Sequence, residues 1–213
     1  MLRLFYSPGA CSIVAHIALE EAGAEFEPVR VMLAEGEHLK PEFLALNPHA
    51  RVPALATDRG VVTENIAILN FVADQYGAPG AVPRGDSYCA AQCNALLGWF
   101  ASSVHIAFAA IWRGSRFTAD ESVWPALQSG GRNALEKHFD EIEALCGAGW
   151  LVDDQFTAAD AYAAIFNRWG RRIELDMSRY PRWAALVERV VDRPAVQMVL
   201  AREGWQRSDF VVV

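Results

Sequence analysis

The sequence predicts two units in series, an α/β domain over residues 1–78 and an all-α domain over residues 87–205. Three observations predict this. Short strand-like apolar runs alternate with helix-like ones as far as residue 76, glycine and proline cluster in "GAPGAVPRGD" at 77–86, and beyond that point the apolar spacing is helical almost throughout. Residues 79–86 accordingly read as a linker and 206–213 as a tail.

In chain order, "LRLFY" (2–6) is an apolar run of strand length, and "CSIVAHIALEEAG" (11–23) has helical spacing that stops at Gly23. "FEPVRVML" (26–33) is a second strand, whose Pro28 cannot donate to a ladder and belongs at an edge or bulge. These form a β-α-β unit. After a polar connection, "RVPALAT" (51–57) and "GVVTE" (60–64) are short strands around the turn signal "DRG". "NIAILNFVADQYG" (65–77) follows as a helix with Ile66, Leu69, Phe71, Val72 and Tyr76 on its apolar face. Past the linker, 87–114 reads as one long helix and 122–149 as another, with a break expected near Ser129–Gly131. Thr157, with Asp160 three residues on, opens the helix 157–172 as the acidic variant of a capping box. Two shorter helices, 180–193 and 194–204, each carry proline near the start.

At 213 residues and 53% hydrophobic, the chain is long enough to bury real cores. A formal net charge of -7, with no lysine and arginine cluster interleaved with aromatics, argues against a nucleic-acid surface. No apolar run reaches the ~18 residues of a membrane span, and "MLRLFYSPG" lacks the long apolar stretch of a signal peptide. A cytoplasmic protein with no membrane partner is expected. Cys11, Cys89, Cys93 and Cys146 show no disulfide-framework spacing and are expected to be reduced. Cys89 and Cys93 lie one helical turn apart but lack the two further ligands a zinc ion needs, so no metal is expected.

Cys11 stands apart because it falls where a strand ends and a helix begins. Free N–H groups and the helix dipole stabilise a thiolate there, a benefit that a merely packed cysteine does not use. Tyr6, Ser7 and Ser12 flank it with hydroxyls, although Tyr6, ending a strand, reads equally as a core aromatic. In "LNPHARVPAL" (46–55), Pro53 leads from a loop into a strand, where a cis bond would present the preceding backbone to a ligand. X-Pro statistics alone favour trans by roughly fifteen to one.

Five motifs stand in order at familiar distances: "YSPGACS…H" (6–16), "NPHARVPAL" (47–55), "TENIAIL" (63–69), "H-x-x-F" (105–108) and "FTAADAY" (156–162). Together they resemble the cytosolic glutathione S-transferases, and among these the bacterial beta class, from Leu2 to about Gly204. The resemblance implies a thioredoxin-like N-terminal domain that binds glutathione as co-substrate. It also implies an all-α C-terminal domain that helps form a pocket for a small electrophile, within a homodimer. Val52 would present its backbone to the cysteinyl part of glutathione, with Pro53 cis, while Glu64 and Asn65 hold the γ-glutamyl end at the start of a helix. Ala10 and Arg51 complete the implied glutathione-binding set.

Cys11 and His105 fall where the class places a cysteine and a nearby histidine, the latter able to stabilise a thiolate or relay a proton. Tyr6 competes as a catalytic residue, because other classes use a tyrosine or serine hydroxyl. Thr157 and Asp160 match the family's capping box, and His16 reads as a structural residue of the pattern. Phe108, Trp112, Phe166 and Trp169 are implied to line the second-substrate pocket, with Arg113 or Arg168 as polar contacts, although most large side chains of this domain must be core. The chain departs from the family at Asn65, where serine is common, and at Asp153, where glycine is usual. It also has Gly98 and Ile106 where polar and lysine side chains often face glutathione.

Three functions follow. The leading one conjugates the thiolate of reduced glutathione to small apolar electrophiles, without a metal. The second is a glutathione-dependent monothiol disulfide reductase, or an isomerase or dehalogenase, working through Cys11. The third is a non-catalytic protein of the same fold that carries apolar ligands.

Overall fold

The computed structural model describes residues 1–77 and 80–211. Ala78 and Pro79, where the first domain is expected to pass into the linker, and Val212 and Val213, at the end of the expected tail, lie outside the described residues.

The first unit holds a four-stranded sheet in the order β2-β1-β3-β4. It comprises β1 (Leu2–Tyr6), β2 (Phe26–Arg30), β3 (Ala54–Thr57) and β4 (Gly60–Thr63). β1 and β2 run parallel, connected through α1 (Ile13–Glu21), and the other two pairings are antiparallel. β2 is an edge, where the missing N–H of Pro28 costs least. Side chains along β1 alternate with the pleat. Leu4 and Tyr6 enter the main core with α1 and α3 (Asn65–Tyr76), and Phe5 enters a smaller cluster with Val52, Ala54 and Phe43 of α2 (Pro41–Leu44).

Three boundaries differ from expectation for identifiable reasons. α1 starts at Ile13 rather than Cys11, because Ser12 Oγ accepts from the Ser7 N–H (3.1 Å) and donates to its carbonyl (3.2 Å), holding 7–12 as a closed loop. β2 stops at Arg30, after which the Met32 N–H donates to the Glu37 carboxylate (2.7 Å) and turns the chain into two 3-10 turns before α2. β3 starts at Ala54, after the cis Val52–Pro53 bond.

The second unit is helical. α4 (Ser87–Trp99) is capped by Asp86, which accepts from the Tyr88 and Cys89 N–H groups, and runs through a π-helical segment, Phe100–Val104, into α5 (His105–Trp112). The long helix expected over 87–114 is thus one path with a local widening just before His105. α6 (Trp124–Leu145) shows no break at Ser129–Gly131. A Cβ on Gly131 would lie 2.7 Å from the Ala107 carbonyl, so this glycine serves close packing of α6 on α5. α7 (Ala158–Arg172) is buried along most of its length and carries the predicted capping box. The Asp160 carboxylate accepts from the Thr157 N–H (2.8 Å), the Thr157 hydroxyl (3.0 Å) and the Leu151 N–H (2.8 Å). α8 (Pro181–Val191) and α9 (Pro194–Glu203) complete the unit, and α1 packs against both α7 and α9.

One expectation about membranes is corrected. Taken together, Ser87–Trp112 is 26 residues long with a mean hydropathy of 1.6 in its most apolar window, enough by length and composition to cross a bilayer. Its Cys93, Leu97, Phe100, Val104 and Phe108 are instead buried in the core.

Candidate active site

The site forms where the loop after β1, the loop before β3, the start of α3 and one face of α5 and α7 meet. Cys11 is only 9% exposed, and its Sγ lies 3.8 Å from the Val52 carbonyl oxygen. Asn65, in the first turn of α3, donates from Nδ2 to the Cys11 carbonyl (3.0 Å). Glu64 precedes it with φ of 70°, a region that side chains other than glycine rarely adopt and that marks functional loops. Asn47 braces the facing loop by donating to the Arg51 carbonyl (2.7 Å).

Burial pushes the Cys11 thiol up to about 11, against the opposing pull of the Tyr162 hydroxyl beside it and of the Arg113 charge. Cys11 is thus a neutral thiol near pH 7 rather than the thiolate that a helix N-terminus favours, because α1 begins two residues later and desolvation dominates. His105 is driven down to about 4, first by burial and then by Arg116, Arg113 and Arg51. It is therefore neutral as well, suited to hydrogen bonding and proton relay rather than to supplying charge. The positive potential at this site comes from the three arginines.

Tyr162, the last residue of the "FTAADAY" motif, carries no expected role from the sequence but stands at the centre of the site. It is 1% exposed, its hydroxyl lies 3.3 Å from His105 Nδ1, and it neighbours both Cys11 and Asn65. Burial and the adjacent Cys11 raise its own pKa well above the ordinary value. A signal was present: Tyr162 precedes Phe166 by four residues and Trp169 by seven, on one helical stripe.

Tyr6 lies apart from this group. Its ring packs at 4.9 Å from His16, burial raises its pKa, and no hydrogen bond joins its hydroxyl to Cys11 among the described residues. His16 Nδ1 is 2.9 Å from Glu203 Oε1, with both side chains fully buried.

The four aromatics implied for a second substrate form one ring cluster. Phe108 stacks on Trp112 at 5.1 Å and on Phe166 at 5.8 Å, and Trp169 stands at 5.2 Å from His105 and 5.3 Å from Trp112. Phe108 and Phe166 have no exposed surface, so they back the cluster, whereas Trp112 is 40% exposed. A separate cavity of about 420 Å³, lined by Arg84, Trp150, Phe156 and Arg193 among others, contains none of these residues. Among the described residues, no three His, Cys, Asp or Glu side chains are grouped to hold a metal ion. All four cysteines are free and buried.

Comparison with known proteins gives a consistent result. The family model for the glutathione S-transferase N-terminal domain matches residues 1–74, and that for the C-terminal domain matches residues 105–194. Glutathione S-transferase GstA of Escherichia coli O157:H7 is 33% identical over 207 residues, covering 95% of this chain and 99% of the relative. A glutathione transferase homolog from Sulfitobacter, solved with bound glutathione, superposes with a TM-score of 0.89 at 31% identity, covering 97% and 99% of the two chains. A bacterial beta class glutathione S-transferase from Sphingomonas chungbukensis gives 0.82 at 33% identity, covering 96% and 100%.

Proposed function

The chain belongs to the glutathione S-transferase family, and from that premise we propose that it joins the thiolate of reduced glutathione to small, largely apolar electrophiles at the Cys11 site. The observation that carries this reading is the convergence of Cys11, Tyr162, His105 and the Val52 backbone at one point, under the charges of Arg51, Arg113 and Arg116. Glutathione would lie with its cysteinyl backbone against Val52 and Pro53, its γ-glutamyl end at Glu64 and Asn65, and Ala10 and Arg51 alongside. The glutathione thiol gives its proton to water. Its sulfur lone pair then forms the bond to the electrophilic carbon, and the leaving group departs with its electron pair. Neutral Cys11 and Tyr162 serve as hydrogen-bond donors to the anionic sulfur, and the arginines lower its pKa further. Trp112 offers the second substrate an exposed aromatic face, backed by the buried Trp169, with Arg113 as its polar contact.

The neutral state of Cys11 favours conjugation over disulfide reduction, which needs that sulfur as a thiolate nucleophile. The Cys11→Ser variant tests the choice. Conjugation of 1-chloro-2,4-dinitrobenzene should keep kcat/KM within about tenfold of the parent protein, since a hydroxyl still donates. Loss of all turnover in the variant, together with a ~305 Da adduct on Cys11 of the parent protein that dithiothreitol removes, would establish the reductase instead.

The same reading carries a homodimer, a cytoplasmic setting, and division into domains 1–78 and 87–205 around the linker 79–86. Exposed apolar side chains such as Val61 on β4 and Tyr88 on α4 support a subunit contact.

A further inference from the structure

We infer that Trp205, held beneath the Arg168 guanidinium, is a positioning residue for Cys11. The connection runs through Gly9, two residues before the cysteine. Gly9 has φ of 70°, and a Cβ there would lie 2.9 Å from Trp205 Cζ2 and 3.2 Å from Arg168 Nη1, so its α-carbon is pressed directly against that pair. Both of its backbone groups are also taken up by the helical unit. Its N–H donates to Glu203 Oε2 (3.1 Å), and its carbonyl accepts from Trp169 Nε1 (2.9 Å). The turn that carries Cys11 is thus gripped on three sides by residues from the far end of the chain.

Trp205 is itself well fixed. Its N–H donates to the Leu200 carbonyl (2.8 Å), closing the end of α9 over Gly204. The Arg168 guanidinium carbon stands 3.8 Å from its ring centroid and 5.5 Å from that of Phe210, a cation–π stack that ties the segment after α9 back onto α7. Arg171 donates to the Asp209 and Phe210 carbonyls, and Phe210 and Val211 are buried. Residues 206–211 of the expected tail therefore form a strap packed on α7. On its other side the Cys11 loop is held by Asn65, which donates to the Cys11 carbonyl, and internally by Ser7 and Ser12, so the helical unit supplies the restraint at Gly9 itself. Glycine has the widest backbone freedom of any residue, so Gly9 stays in place only while its surroundings hold it.

This inference rests on the reading of Cys11 as the site thiol, and its test measures Cys11 directly rather than through turnover. Full-length protein is treated with iodoacetamide under native conditions, and alkylation of each cysteine is followed by peptide mass spectrometry. Cys89, Cys93 and Cys146, all buried, serve as internal monitors of general loosening. In Trp205→Ala, Cys11 should be labelled about tenfold faster than in the parent, with the other three within about twofold, as expected when one local opening becomes easier. Trp205→Phe, which keeps an aromatic ring under Arg168, should restore most of the protection. Arg168→Gln, which keeps the indole but removes the stack, provides the same comparison if Trp205→Ala does not fold. An unchanged Cys11 rate, or equal acceleration at all four cysteines, would overturn the inference. Selective Cys11 labelling in a protein that conjugates nothing would support the brace while removing the functional reading.

Discussion

Burial sets the protonation states at the centre of this site, and each state has a consequence for stability. Cys11 has its pKa raised from an ordinary 9.0 to about 11, so its contribution is complete below pH 9 and is lost as pH rises toward 11. Cys146, raised by burial and then by Glu143 to about 12, acts in the same sense. Urea unfolding should therefore show stability falling from pH 9 upward, with a shallower fall in Cys146→Ala. His105 works in the opposite direction. Lowered from 6.5 to about 4, it contributes fully above pH 6.5, and the contribution is lost as pH drops through that interval, a dependence that His105→Asn should weaken. Tyr162→Phe keeps the ring packing and removes one donor. Conjugation kcat/KM should drop roughly ten- to a hundredfold, the value of a hydrogen bond to a charged group, and an unchanged rate would leave Tyr162 a packing residue.

At the scale of elements, two neighbouring glycines in α6 give opposite predictions. A Cβ on Gly130 meets nothing within 4 Å, so Gly130→Ala should stabilise by about 0.5–1 kcal/mol through helix propensity. Gly131→Ala drives a methyl group against the Ala107 carbonyl and the Ile111 side chain, and should destabilise by about 1–3 kcal/mol despite the same propensity gain. Thermal unfolding of the two variants decides between a helix break and a close approach. The sequence signal, two glycines in a helical pattern, is the same for both readings, because periodicity describes one helix and not its partner. The capping box of α7 was legible because Thr157 and Asp160 are three residues apart and satisfy each other locally. Thr157→Ala should cost about 1–2 kcal/mol by chemical unfolding.

Across the whole molecule, the two units are fastened by a fully buried contact between His16 of α1 and Glu203 at the end of α9. Glu203 also accepts the Gly9 N–H, so one carboxylate joins the sheet unit, the Cys11 loop and the last helix. Glu203→Ala should cost about 1–3 kcal/mol for each buried group left without a partner; an effect near zero in urea unfolding would mean that other contacts between the units carry the load. The sequence by itself determined the succession of elements, the place of Pro28 at an edge or bulge, and the capped helix α7, all of which rest on spacing between near neighbours or on local backbone chemistry. Site roles for Val52, Asn65 and His105 come from the resemblance of their motifs to the family, not from spacing. Only the tertiary structure decided that Cys11 and His105 are neutral, that Phe108 and Phe166 are enclosed, that Tyr162 reaches the thiol, and that the final segment bears on Gly9. Those properties depend on desolvation and on contacts between residues up to 196 positions apart, as Gly9 and Trp205 are, and no local pattern records them.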